Sequence, residues 1–320
     1  MSRDFQAGRR ALTRGGRGAI LRVMESGLSA VGKPGKRWGL VLMGGGARGL
    51  AHVGVLRVLE KNGLVPDVIA GTSMGGIVGG LYAAGLTPDD LEGMIKGRQP
   101  RRRTSGTART AQAPGLKLFK RSTNLFEYLL LSDTKNRLFK ALAPGKKDTI
   151  EAYLRRCVGD VRIEDLPIKF VCNAVDLVTG QEVFFTSGRL AQALRATMSL
   201  PLVFAPARVG GMVLLDGGVY DSAPVEAARQ LGAEVTVLVD IHKPLRRLPA
   251  KRIRNSFQVL QRLVEIAKAG MDEPHGRYAD IVLRVPLDVE ILDFSNPLKI
   301  VRKGERTAAA GLERIRAGLT

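Results

Sequence analysis

Residues 68–76 read Val68-Ile69-Ala70-Gly71-Thr72-Ser73-Met74-Gly75-Gly76, an apolar run that breaks into a G-x-S-x-G pentapeptide and continues in small and apolar residues to Leu86. A strand that turns into a helix this abruptly leaves no room for bulk beside the middle residue. Glycines therefore flank it, and its hydroxyl projects outward. Ser73 is the candidate nucleophile. The pentapeptide carries little weight alone, because a chain with 38 glycines produces the spacing by chance. The uncharged run from Val68 to Leu86 is also long enough to read as a membrane-spanning helix. Its many glycines and its alternation of small with large residues favour a buried strand, turn and helix.

Upstream, Trp38 to Met43 is a short apolar run that ends in Gly44-Gly45-Gly46-Ala47-Arg48-Gly49. Leu50, Val53, Leu56 and Leu59 then recur on one face of an expected helix, with Gly63 as its stop. His52 falls within that helix and reads as a packed or capping side chain. Residues 44–49 match G-x-G-x-x-G, the dinucleotide-binding spacing, but that fingerprint needs an acid at the end of the next strand. Asp67 stands at the start of that strand, and no Gly-Lys-Ser/Thr follows for a P-loop. What remains is a row of bare backbone N–H groups at a helix N-terminus, facing an anion. Beside a serine nucleophile that anion is the oxyanion of a tetrahedral intermediate.

Downstream, Thr87-Pro88-Asp89-Asp90 carries the N-cap and first-turn proline of a new helix. Residues 97–115 lack large apolar side chains and read as an insertion. Apolar bulk returns from Leu116 to Leu131 beside Lys117, Lys120 and Arg121, which suits a lid, a membrane-contacting flap or an ordinary packed helix. Further helices are expected at 148–158, 189–197, 224–231, 254–269 and 297–319, and strands at 168–175, 182–186, 213–215, 234–239 and 280–285. The alternation predicts a layered α/β fold with a mainly parallel sheet.

At 320 residues the chain can bury a full core. Cys157 and Cys172 are too few for a disulfide scaffold, and the three histidines lie far apart, so no metal motif is present. The formal charge of +20 is concentrated. Residues 1–37 hold nine Lys or Arg against Asp4 and Glu25, residues 96–121 hold nine and no acid, and residues 243–254 hold six and no acid. Such segments suit anionic lipid head groups or nucleic-acid phosphates, or are simply solvated. Aromatic content of 5% and the lack of a nucleic-acid module disfavour nucleic acid. Residues 20–28 could form a short amphipathic helix, and arginines interrupt every apolar run that a secretory signal would need. A cytoplasmic protein with peripheral contact to an anionic membrane is the expectation.

A serine hydroxyl needs a base. Val213-Leu214-Leu215 delivers Asp216-Gly217-Gly218, a carboxylate at a strand end whose small neighbours allow another loop to approach. An isolated Asp-Gly-Gly is equally an ordinary turn. With no histidine in a triad setting, Asp216 acting directly as base, partly desolvated, is the economical assignment.

These three ordered motifs, with Ala196-Thr197-Met198-Ser199-Leu200-Pro201, resemble the bacterial patatin-like phospholipases. The resemblance covers about residues 38–320. It leaves residues 1–37 as a basic extension and 97–121 as a basic insertion. Thr197 stands where the family's A-S-x-x-x-P block has serine, and both offer a hydroxyl. The resemblance implies a three-layer α/β/α fold and a Ser-Asp dyad lipid acyl hydrolase acting on phospholipids or lysophospholipids without metal or organic cofactor. It implies Ser73 as nucleophile, Asp216 as base, and Gly44, Gly45 and Gly46 as the oxyanion hole. Gly49, Gly71, Gly75, Gly217 and Gly218 support them, and Arg48 holds the glycine loop or meets a phosphate. Alternatives are an esterase or thioesterase on neutral lipids or acyl thioesters, and a non-catalytic scaffold that binds anionic membrane. Oligomeric state is left open.

Overall fold

The computed structural model describes residues 36–98 and 149–320, apart from 202, 246, 251–252, 255–257, 260–261, 264 and 268–277. The basic extension, its expected amphipathic helix, and nearly all of the insertion with the apolar stretch behind it lie outside the described residues.

The elements in order are β1 (Trp38–Leu42), α1 (Ala51–Lys61), β2 (Val68–Gly71), α2 (Met74–Ala83), α3 (Pro88–Ile95), α4 (Thr149–Val158), β3 (Lys169–Asp176), β4 (Glu182–Phe185), α5 (Leu190–Thr197), β5 (Ala207–Val209), β6 (Met212–Asp216), α6 (Val225–Gln230), β7 (Val235–Asp240), β8 (Ile281–Arg284) and α7 (Pro297–Leu319). The described residues among 258–267 are also helical. The uncharged run from Val68 is thus a strand, a turn and a ten-residue helix. Among the described residues no helix is long and apolar enough to cross a membrane.

Tracing hydrogen-bonded neighbours gives β5-β6-β3-β2-β1-β7-β8, with β4 also on β3. Strands β3, β2, β1, β7 and β8 run parallel, and β4, β5 and β6 run antiparallel to their neighbours. The apolar runs WGLVL and VTVLVD are buried along their whole length, as strands covered on both faces must be. The covering is visible in the packing. A Cβ on Gly79 of α2 would meet Ile69 and Leu42, whereas one on Gly39 of β1 would meet Ala228 of α6 and Val68. Val68 and Ile69 point to opposite faces, so α2 and α6 lie on opposite sides of the sheet. The expected three-layer α/β/α architecture is what the chain forms.

Two features of this topology place a site. First, β1 lies between β2 and β7, and the chain builds outward from β1 in both directions, so the loop after β1 occupies the switch point at the C-terminal edge. Second, β2 and β6 share one edge of β3. Cys172 pairs with Gly71 on one side and Phe185 on the other, and Ala174 pairs with Asp216 and Val183. With β4 along one edge from Cys172 to Val175, β2 covers the start of the other edge and β6, arriving from the opposite direction, covers its end. The last residues of β2 and β6 therefore converge.

Sequence expectations for the remaining elements fall within a few residues of the structure. Thr87 caps α3, its side chain accepting from the Asp90 N–H while the Asp90 carboxylate accepts from the Thr87 N–H. Strand β5 has no signal in the sequence pattern, since Ala207-Arg208-Val209 is too short to show alternation.

Candidate active site

Between the end of β2 at Gly71 and the start of α2 at Met74 only Thr72 and Ser73 make the reversal. Ser73 takes φ 55° and ψ −122°, the one non-glycine residue with positive φ among those described. Such strain persists only when the surroundings over-determine it. Here Gly75 allows the turn to press on β1, because a Cβ there would stand 2.0 Å from the Leu42 carbonyl oxygen. Gly71 is equally confined, its Cβ position lying 2.6 Å from the backbone of Gly75. The Thr72 hydroxyl donates to the Asp221 carbonyl at 3.1 Å, and the Ser73 N–H donates to Thr197 Oγ1 at 2.9 Å.

Ser73 Oγ donates to Asp216 Oδ2 at 2.6 Å. Asp216 is buried, and its other oxygen, Oδ1, accepts from the Gly218 N–H at 2.8 Å. The carboxylate is thereby held with one oxygen anchored and the other turned to the hydroxyl. Gly217 is required by crowding, as a Cβ there would lie 2.3 Å from Asn173 Oδ1.

The glycine loop passes close to Ser73. A Cβ on Gly44 would stand 3.4 Å from that of Ser73. The Gly44 N–H already donates to the Ser222 carbonyl at 2.8 Å, and the Ala47 N–H to that of Ile291 at 2.8 Å. Gly45 and Gly46 lie between them, and among the described residues their N–H groups have no partner. Gly46 has φ +56°, and its Cβ position falls 2.1 Å from the Ile291 carbonyl oxygen. A Cβ on Gly49 would lie 2.5 Å from the side chain of Met74, the residue after the nucleophile. Arg48 Nε and Nη1 donate to the carbonyls of Gly45 and Ile241 at 3.3 and 3.4 Å, tying the loop to the chain beyond β7.

Residues 40–229 match the profile of the family described as patatin-like phospholipase. The chain belongs to the patatin-like phospholipase family. It is 34% identical over 218 residues to an uncharacterised NTE family protein of Mycobacterium bovis, covering 66% of this chain and 51% of that one. It is 32% identical over 207 residues to a lysophospholipase of Emericella nidulans, covering 65% of this chain and 12% of that one. The chain thus spans about half the length of the mycobacterial relative and far less of the fungal one. VipD from Legionella pneumophila superposes with a TM-score of 0.47 at 15% identity, over 87% of this chain and 67% of that one.

The remaining polar groups of this patatin-like domain define what surrounds the pair. His52 is fully buried, with Nε2 2.8 Å from the Met43 carbonyl, and burial pushes its pKa down to about 4. It is a neutral donor that secures the end of β1. The Asn173 amide donates to Glu182 Oε1 at 2.7 Å and to the Asp221 carbonyl at 2.8 Å. Burial, with the Asp221 charge adding to it, raises Glu182 to about 7 against the hydrogen bond from Asn173. Burial also lifts both cysteine thiols, Cys157 to about 11, so neither supplies a thiolate. Among the described residues no group of three or more His, Cys, Asp or Glu is placed to hold a metal ion.

Sequence reading singled out the two chemical groups and the glycines, and it missed the braces. Asn173, Asp221, Ser222 and Ile291 act through main-chain atoms or a single amide, which leave no motif. Thr197 lay within a quoted block, but nothing in that block marks its hydroxyl as a partner of the Ser73 N–H.

Proposed function

We propose that this chain is a lipid acyl hydrolase that cleaves carboxylic esters of phospholipids or lysophospholipids through Ser73 and Asp216. The carrying observation is the 2.6 Å hydrogen bond from Ser73 Oγ to a buried carboxylate whose second oxygen is anchored. Ser73 Oγ attacks the ester carbonyl carbon as its proton passes to Asp216 Oδ2. The oxyanion is met by the Gly45 and Gly46 N–H groups and by the N-terminus of α2, since the Gly44 N–H is engaged with Ser222. Collapse breaks the carbonyl–alkoxide bond, and the departing lysolipid or glycerol oxygen takes the proton from Asp216. Water then gives a proton to Asp216 and attacks the acyl-enzyme. The fatty acid leaves as Ser73 Oγ recovers the proton. Arg48 holds the glycine loop.

Family membership supports the substrate class, as does the similarity to the fungal lysophospholipase. Peripheral contact with an anionic bilayer belongs to the same reading and draws on the basic segments 1–37, 96–121 and 243–254.

The test is fatty-acid release from mixed phospholipid and lysophospholipid vesicles by wild type, Ser73→Ala and Asp216→Ala, with fluorophosphonate labelling of the same samples. Release and labelling are expected in wild type and absent from both folded variants. A folded wild type that binds vesicles but neither labels nor hydrolyses would end the enzymatic reading.

A further inference from the structure

One short stretch of chain reaches both halves of the candidate dyad. At the end of α5, Thr197 is fully buried, and its Oγ1 accepts the Ser73 N–H at 2.9 Å. Two residues on, the carbonyl of Ser199, also fully buried, accepts the Asp216 N–H at 3.0 Å. We propose that Thr197 is a positioning residue for Ser73, and that the Thr197–Ser199 turn sets the separation between nucleophile and base. This inference rests on the reading of Ser73 as nucleophile.

The Ser73 N–H lies at the start of α2, where a helix offers its own N–H groups no acceptor. An N–H shielded from water without a partner is costly, and here it belongs to a half-buried residue held at φ 55°. The Thr197 hydroxyl supplies the missing acceptor from outside the turn. Its orientation is fixed twice. Threonine is stiff at χ1, and its Cγ2 methyl stands 3.0 Å from where a Cβ on Gly76 would be, so the methyl occupies the space that Gly76 leaves. Rotating the hydroxyl away from Ser73 would drive that methyl out of its niche.

The turn is also fixed from behind. Arg195 is buried and donates from Nη1 to Ser199 Oγ at 2.7 Å and from Nη2 to the Ala205 carbonyl at 2.9 Å. Ser199 Oγ donates in turn to the Arg195 carbonyl at 2.9 Å. A rigid two-residue step thus ties the backbone of Ser73 to the backbone of Asp216, across 143 residues of sequence. The same hydrogen bond occupies the Ser73 N–H, leaving oxyanion binding to the glycine loop and to the N-terminus of α2 beyond Ser73.

The experiment compares wild type, Ser73→Ala, Thr197→Val and Thr197→Ser. It measures the fluorophosphonate labelling rate constant, kcat and KM on lysophospholipid, and the pH profile of labelling, with Tm as the check on folding. Thr197→Val should label and turn over about 10–100-fold more slowly, the effect of a small misplacement of reacting groups. Its KM should be unchanged and its pH limb displaced. Thr197→Ser, which restores the acceptor, should recover most of the rate. If Thr197→Val does not fold, Thr197→Ala takes its place. A folded Thr197→Val or Thr197→Ala that labels at the wild-type rate overturns the proposal, as does a Thr197→Ser no faster than it. A folded wild type that labels no faster than Ser73→Ala overturns the nucleophile reading and this inference with it.

Discussion

At the crossing of α1 and α7 a Cβ on Gly54 would sit 2.0 Å from the Val301 carbonyl oxygen, and one on Gly304 would sit 2.0 Å from that of Ala51. At the nucleophile turn a Cβ on Gly75 would sit 2.0 Å from that of Leu42, and in the glycine loop one on Gly46 would sit 2.1 Å from that of Ile291. The steric demand is the same in both regions: backbone lies against backbone, and only glycine fits. Along α1 and α7 the outcome is packing alone, since both glycines sit inside regular helices with ordinary φ. At the sheet edge the close approach surrounds a serine at φ 55° and a buried carboxylate. Close-approach glycines therefore mark where two pieces of backbone meet, and the chemistry depends on which side chains are caught between them.

Three measurements would break or sharpen that contrast. The largest effect is expected at the sheet edge. Ser73→Gly should lower turnover by about 10³–10⁶-fold, as loss of an interdependent catalytic group does. Its Tm should not fall below that of wild type, because glycine relieves the positive φ. A lower Tm would mean that the turn is not strained and that its glycines serve packing, as those of α1 and α7 do.

The intermediate effect belongs to the helix pair. Gly54→Ala and Gly304→Ala should each lose about 1–3 kcal/mol through overpacking, seen as a Tm drop of several degrees. Fluorophosphonate labelling per folded molecule should stay at the wild-type level. Labelling that falls in step with Tm would couple the helix crossing to the site and erase the distinction.

The smallest effect is a pH slope. Because Glu182 is raised to about 7, the folded chain holds a proton there that the unfolded chain has released, so stability falls as pH rises from the ordinary carboxylate range through about 7. Glu182→Gln keeps an acceptor for Asn173 and removes the charge. Its Tm advantage over wild type should be absent near pH 4 and grow to a plateau above pH 7. His52 works in the opposite sense. Its pKa of about 4 means that stability is full above the ordinary histidine range and declines as pH falls toward about 4. Thermal melts from pH 4 to pH 8 on wild type and Glu182→Gln resolve both slopes.

Much of this is legible in the sequence, for physical reasons that differ by element. Buried parallel strands need unbroken apolar runs, so the runs at 38–43 and 234–239 stand out, and the strands form within a residue of them at Trp38–Leu42 and Val235–Asp240. The turn at Ser73 had to be written in glycine, because its neighbours meet backbone. The braces were not legible. Thr72 and Asn173 converge on one carbonyl, that of Asp221, and a carbonyl is present at every residue. The engagement of the Gly44 N–H with Ser222 was equally hidden, since three consecutive glycines read alike until one is seen to be occupied. Glu182 reads as an ordinary strand residue, and only its burial, with the Asp221 charge adding to it, gives it an unusual proton affinity.

The meeting of β2 and β6 along one edge of β3 has a consequence in time. Ribosomes deliver the strands in the order β2, β3, β6, and roughly 5–20 residues are added each second. The sequence separation of 143 from Ser73 to Asp216 thus separates the two groups by roughly 7–30 s of synthesis. Throughout that interval the nascent chain carries a serine with no carboxylate to receive its proton. Under the proposed function the last strand to seat on β3 is the one that brings the base to the serine, so a chain that stops short of β6 is expected to be inert toward lipid esters.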